Sequence, residues 1–216
     1  MAPTYHVDGE LVPADEASVD VRDRGFMYGD AAFETLRLYA GEPFAWESHA
    51  DRLASPLETL GFAEAMPPRE DLRKRVVETV AANAFEDCWA KVSITRGVQP
   101  GKLTPAPRVA PTVVVTVGEL PRGGVDGEPV WDDPATVRLA RTQKPAAAAL
   151  PPAAKTHNYL NGILARLELR GTGADEAVLR DGDGYLAEGA TSNLFFVSDG
   201  TLRTPSTSSP LLPGVT

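Results

Sequence analysis

Cysteine is almost absent from this chain. Cys88 is the one cysteine in 216 residues, so no internal disulfide framework can staple the fold. No apolar run approaches the ~20 residues that span a bilayer. The first ten residues hold neither a basic leader nor an apolar stretch. The expectation is a soluble, cytoplasmic globular protein with no membrane partner. Positive charge is scarce too: 21 basic against 30 acidic residues leave a net charge of −9. Such a surface repels phosphate backbones and argues against nucleic acid as a partner. The three histidines, His6, His49 and His157, lie far apart, and no Cys/His or His/carboxylate pair has ligand spacing, so no metal site is expected. Neither a G-x-S-x-G elbow nor a P-loop nor a G-x-G-x-x-G turn occurs, which weakens hydrolase, kinase and dinucleotide-binding readings.

Lysine is the scarcest charged residue. Only Lys74, Lys91, Lys102, Lys144 and Lys155 occur, so sixteen of the 21 basic residues are arginine. A salt-adapted host or nucleotide composition would each produce that bias. Either way, chemistry that needs a lysine has few candidates.

What is present suffices for a real core, in one large or two small domains. Residues 4–13 alternate around Asp8-Gly9, the signature of a hairpin. Residues 32–39 read as a strand turning at Ala40-Gly41. Residues 46–60 have helical spacing interrupted by Pro56, which should kink or shorten the helix. Residues 71–82 form a better helix, with Leu72, Val76 and Val80 at fourfold spacing. Strands follow at 89–95 and 112–117. Without a clean strand–helix alternation, α+β is the expected class. A glycine- and proline-rich stretch then predicts an interdomain linker at 121–130, between an α/β domain at 1–120 and a second, β-rich domain at 131–216. In that second part a strand at 136–141 and a helix at 158–170, stopped by Gly171, precede hairpins turning at residues 181–184 and at Asp199-Gly200.

Lys155 follows an Ala-Leu-Pro-Pro-Ala-Ala run and precedes that helix. An amine in apolar surroundings loses hydration of its charged form and becomes a better nucleophile, as Schiff-base chemistry requires. On local sequence alone a surface lysine at a helix start explains the position better, since lysines are mostly exposed. Glu188, followed by small polar residues and then Leu194-Phe195-Phe196, reads as a carboxylate at a pocket edge or as an ordinary hairpin corner.

Four segments in register resemble the class IV pyridoxal-phosphate aminotransferases. Residues 23–37 are similar to the D-R-G-x-x-Y-G-D-G-x-F-E-T motif, with Ala31 where glycine is usual. His49-Ala50-Asp51-Arg52-Leu53 is similar to H-x-x-R-L, and Lys155 to Leu160 resembles K-x-x-N-Y-L. Glu188, Asn193-Leu194-Phe195, Leu202-x-Thr204 and Leu212-Pro213-Gly214-Val215-Thr216 resemble the C-terminal signature. The resemblance implies a fold-type IV enzyme with pyridoxal 5′-phosphate as cofactor. It implies that Lys155 condenses with the cofactor aldehyde and later carries the substrate proton. It implies that Glu188 pairs with the ring nitrogen and Arg52 grips the phosphate beside the Val215 and Thr216 amides. Tyr159 would bond the ring's phenolic oxygen. It further implies a homodimer acting on a small-molecule amine. Family members run past the Pro-Gly-Val-Thr motif, so the 216 residues are expected to be part of a longer polypeptide.

Three activities share the scaffold, and side chains must separate them. Branched-chain enzymes usually read F-E-G and Y-x-R-P, where this chain has Phe33-Glu34-Thr35 and Trp89-Ala90-Lys91-Val92. D-amino-acid enzymes carry R-x-H where this chain has Gly101-Lys102-Leu103. Lyases show F-x-T and a strand like L-K-V-x-x-S-R-G, which Thr35 and residues 90–97 approximate. The resemblance therefore favours 4-amino-4-deoxychorismate lyase, with a branched-chain transaminase as the alternative. Thr35 is a candidate for assisting proton delivery, or simply a β-branched strand residue. Phe33, Lys91 and Arg96 are the candidate substrate-side residues, the last two being equally readable as solvated strand-edge charges. Intact Lys155 and Glu188 argue against a non-catalytic relative.

Overall fold

The computed structural model describes residues 3–120 and 135–216. The chain divides into two compact units. The first is Met1–Leu120 with Lys155–His157 and Val215–Thr216; the second is Pro121–Ala154 with Asn158–Gly214. Lys155–His157 and Val215–Thr216 thus group with the first unit, where composition assigned them to a second domain beginning at 131. The expected linker at 121–130 lies outside the described residues.

The first unit is built on a six-stranded antiparallel sheet. In chain order its strands are β1 (Thr4–Val7), β2 (Glu10–Pro13), β3 (Ala31–Tyr39), β4 (Glu42–Pro43), β5 (Cys88–Thr95) and β6 (Val113–Glu119), and their spatial order is β2-β1-β6-β5-β3-β4. Alternation along the strands sorts the side chains into two faces. Ala32, Leu36 and Leu38 of β3, Cys88 to Ile94 at every second position of β5, and Val113, Val115 and Val117 of β6 enter one buried cluster. The helices α2 (Trp46–Thr59) and α3 (Arg69–Ala82) cover that face with Leu53, Leu57, Leu72, Val76 and Val80. Each fully buried Leu or Val contributes roughly 1.5–3 kcal/mol through removal from water. Pro56 does not end α2. It sits buried one turn from the C-terminus, where its missing N–H removes a single helical bond.

The short helix α1 (Arg24–Tyr28), unexpected from periodicity, is made by its ends. Asp23 Oδ1 accepts from Gly25 N at 2.6 Å, and Gly29 closes it at φ 68°. At the far end of β5, Gly97 takes φ +80°, and a Cβ there would overlap the Ala110 carbonyl.

The second unit contains β7 (Val137–Leu139), parallel to β8 (Glu176–Arg180), which pairs antiparallel with β9 (Leu186–Gly189). A small core of Ala140, Ala165, Leu169, Ala177 and Leu179 joins this sheet to α4 (Leu160–Leu167). α4 is shorter than the spacing predicts, because residues 168–172 close in three-residue turns before Gly171 at φ 73°. A separate hairpin pairs β10 (Phe196–Ser198) with β11 (Thr201–Arg203). Among the described residues no helix is long and apolar enough to cross a membrane, and no group of three potential metal ligands occurs.

Candidate active site

In the first unit, Lys155 is fixed to the sheet by its main chain. Phe33 N donates to Lys155 O at 3.0 Å, His157 N donates to Ala31 O at 3.1 Å, and Thr156 bridges Ala32. Segment 155–157 is therefore a short extra strand on the β3 edge, and alternation puts Lys155 and His157 on the face of Phe33, opposite the helices. Three side chains gather on that ring. Lys155 Nζ lies 4.7 Å from its centroid, Lys91 Nζ 4.4 Å, and the His157 ring meets it edge-on at 5.5 Å. Thr35, exposed, is directly opposite Lys91 in the β3–β5 register.

Burial holds the Lys91 amine below its ordinary range. Burial also lowers His157 to about 4, with the Lys91 charge adding and Asp23 opposing, so His157 is neutral at pH 7. Its Nε2 is buried with no hydrogen-bond partner among the described residues.

The other face of β3 carries Glu34, 1% exposed, in a row otherwise occupied by Ala32, Leu36 and Leu38. Such a carboxylate needs partners, and α2 supplies two at i and i+3. Arg52 donates through Nε to Oε1 and through Nη2 to Oε2, both at 2.7 Å, and His49 Nδ1 meets Oε2 at 2.9 Å. Burial opposes ionisation of Glu34. The Arg52 and His49 bonds outweigh it, with the Arg52 and Lys155 charges adding, and hold the carboxyl below its ordinary range. The bidentate contact fixes the plane of the Arg52 guanidinium.

Arg96 stands apart from these groups. It is 4% exposed, so it is not a solvated strand-edge charge. Its Nε bonds Asp30 Oδ2 at 2.7 Å, its Nη2 bonds the Leu60 carbonyl at 2.5 Å, and its guanidinium lies 4.4 Å over Phe62. Arg24 shares Asp30 at 2.7 Å and donates to the carbonyls of Lys102 and Leu103. Residues 23–30 thus work as scaffold, tying α1 to the end of β5 and to the loop beyond it. The structure places Arg96, a candidate substrate-side residue, in this buried cluster, because the ends of β3 and β5 put Asp30 against it.

In the second unit, Glu188 lies on β9 and is 7% exposed. Oε1 meets Lys144 Nζ at 2.5 Å, and Oε2 accepts from Leu212 N at 3.0 Å. Two of a carboxylate's roughly four lone-pair sites are engaged, leaving room for another donor. Asn193 Nδ2 donates to Leu212 O at 2.9 Å, and Thr204 Oγ1 to Leu194 O at 2.8 Å. The asparagine and threonine of the C-terminal signature therefore clasp main chain. Gly214 packs so closely on Asn193 that a Cβ would overlap its Oδ1. Tyr159 stands at the N-terminus of α4. Val215 and Thr216 group with the first unit.

The structure thus brings Phe33, Lys91 and Lys155 together, with Thr35 adjacent in register, and holds Arg52 through Glu34. Sequence reasoning gave no role to Glu34, His49, His157 or Lys144. The signal for Glu34 was available, as an acid at a core-facing strand position with His and Arg three apart on the next helix. Lys144 gave no comparable signal. In the first unit an amine on an aromatic bed and an oriented guanidinium, and in the second a carboxylate with spare acceptor capacity, are each groups of the kind that pyridoxal phosphate takes.

The amino-transferase class IV family model matches residues 31–216. A putative branched-chain-amino-acid aminotransferase of Methanocaldococcus jannaschii is 34% identical over 212 residues, covering 98% of this chain and 71% of that protein. The branched-chain aminotransferase of Thermoproteus uzoniensis with norvaline superposes with a TM-score of 0.87 at 27% identity, covering 100% of this chain and 72% of that one. The 4-amino-4-deoxychorismate lyase of Pseudomonas aeruginosa gives 0.78 at 30% identity, covering 98% and 73%. Solved relatives carry derivatives of pyridoxal phosphate. The motifs at Lys155, Glu188 and the Leu-Pro-Gly-Val-Thr loop thus occur in a chain that matches a known family along most of its length: it belongs to the class IV amino-transferases, which are pyridoxal-phosphate-dependent enzymes.

Proposed function

We propose that this enzyme is a 4-amino-4-deoxychorismate lyase, releasing pyruvate and 4-aminobenzoate. The observation that carries this reading is the second ammonium beside Lys155. Lys91 Nζ lies 4.4 Å from the same Phe33 ring. A branched aliphatic side chain bound there would leave a half-buried cation unpaired, which is costly. A substrate with two carboxylates can pair it, and a site built around such a contact rejects analogues that lack it.

Bound pyridoxal phosphate supplies an aldehyde for the substrate amine and a sink for the electrons released when a C–H bond breaks. Lys155 would hold the cofactor and take the substrate's C4 proton. The C3–O bond then breaks, pyruvate leaves as its enol, and the ring becomes aromatic. Thr35, opposite Lys91 in register, assists delivery of a proton to the departing group. Arg52 and the Val215 and Thr216 amides would hold the phosphate, Tyr159 would bond the phenolic oxygen, and Glu188 would accept the ring N–H. Phe33 is the bed on which the reacting amine rests. The family likeness further supports a homodimer, which light scattering of the purified enzyme tests.

Overall similarity favours a second reading, a branched-chain transaminase, through the M. jannaschii and T. uzoniensis relatives. The two separate on incubation with aminodeoxychorismate and, in parallel, with isoleucine plus 2-oxoglutarate. Pyruvate and 4-aminobenzoate from the first alone support the lyase. Glutamate from the second, without pyruvate from the first, overturns it.

A further inference from the structure

We propose that Lys144 is a positioning residue for the cofactor's ring nitrogen, acting through Glu188; this rests on the role given to Glu188 above. In an arginine-rich chain only five lysines occur, and two of them, Lys74 and Lys102, are exposed. The other three are partly buried: Lys91 and Lys155 share the Phe33 ring, and Lys144 meets Glu188.

The main chain sets up that meeting. Lys144 N donates to Arg180 O at 2.8 Å, and Arg180 follows Leu179, whose register partner on β9 is Glu188. Pro145 biases Lys144 towards extended backbone. Between Leu179 and Arg180 the register slips by one residue, a bulge that re-aims the β9 side chains locally. The lysine is therefore anchored one residue from the strand position facing its target, and its Nζ reaches Oε1 with 20% of its side chain and 9% of that of Glu188 exposed.

The arrangement has a functional consequence. A buried carboxylate needs a charge partner, and Lys144 supplies one. With Oε1 held by the ammonium and Oε2 by the Leu212 amide, the carboxylate cannot rotate, and its remaining acceptor sites point in set directions. Lys144, through Glu188, thus decides where the acceptor for the ring N–H sits. Compact and singly charged, lysine does this without the wide planar fork of arginine.

The test compares two ligands on enzyme stripped of cofactor. Pyridoxal phosphate and its 1-deaza analogue, with carbon in place of the ring nitrogen, are titrated into wild type, Lys144→Met and Lys144→Arg by tryptophan fluorescence. Lys144→Met is expected to weaken pyridoxal phosphate about tenfold or more while changing the deaza analogue by less than about twofold. Lys144→Arg is expected to recover most of the loss. If Lys144→Met does not fold, Lys144→Gln, which keeps a donor without the charge, carries the same comparison. Equal losses for both ligands, or no loss for either, overturn the proposal. Wild type binding neither ligand would instead refute the cofactor reading beneath it.

Discussion

The carbonyl of Lys155 accepts a hydrogen bond from Phe33 N at 3.0 Å, and the ring of the same phenylalanine lies 4.7 Å from the Lys155 ammonium. One residue of β3 therefore positions both the main chain and the side-chain tip of the candidate nucleophile. Phe33→Ala removes the ring and keeps the main-chain bond. It is expected to slow formation of the visible cofactor band about tenfold, the equivalent of roughly 1.4 kcal/mol and within the range of a desolvated cation–π contact. Phe33→Tyr should stay close to wild type. Stopped-flow absorbance on mixing apo-enzyme with pyridoxal phosphate reads both.

Glu34 joins β3 to α2 through Arg52 and His49. Glu34→Ala leaves the guanidinium without its buried partner and should cost about 3–5 kcal/mol, measured by urea unfolding at pH 7.

The same carboxylate predicts an acid limb. Glu34 and Asp30 both sit below their ordinary values of 4.5 and 3.8 in the fold. Their contribution is complete above those values and is lost as pH falls through the lower ones that the fold imposes. Unfolding free energy should therefore drop below about pH 4.5, with a shallower slope in Glu34→Gln.

His157 acts at higher pH. It binds a proton at 6.5 when unfolded but only at about 4 in the fold. Between these values the unfolded chain takes up a proton that the native state refuses, so stability falls as pH drops from 6.5 towards 4, by up to about 3 kcal/mol. Urea midpoints across that window should flatten in His157→Asn. A resonance assigned to His157 that titrates near 6.5 in the folded enzyme would contradict the buried, neutral ring.

Arg96 separates scaffold from substrate. Arg96→Lys loses the shaped contact to Asp30 and Leu60 O and should lower stability by about 2–3 kcal/mol while leaving KM unchanged. Lys91→Met should do the reverse, raising KM with little effect on the melting temperature. A tenfold rise in KM for Arg96→Lys at unchanged stability would return Arg96 to the substrate side.

Much of this was legible in the residues, for physical reasons. Strand β5 up to Ile94 and β3 from Glu34 onward alternate in burial because one face is packed under helices, and the pattern at Leu72, Val76 and Val80 marks the helical side of the same core. Lys155 and Glu188 stood out through motif context. Three features lay beyond one-dimensional reading. Segment 155–157 joins the β3 edge, with Thr156 bridging Ala32 124 residues back in the chain, a pairing that no local propensity encodes. Arg96 looked like a strand-end charge because the carboxylate that holds it, Asp30, sits 66 residues away. Lys144 finds Glu188 only through the β8–β9 register and its bulge.

Lys91 makes the decisive measurement a sharp one, since its amine rests on the same ring as that of Lys155. Borohydride reduction of the holoenzyme, followed by proteolysis and mass mapping, reports which amine carries the cofactor. The account predicts a single pyridoxyl group on the peptide containing Lys155. An adduct on Lys91 or any other amine, or none at all, would contradict it.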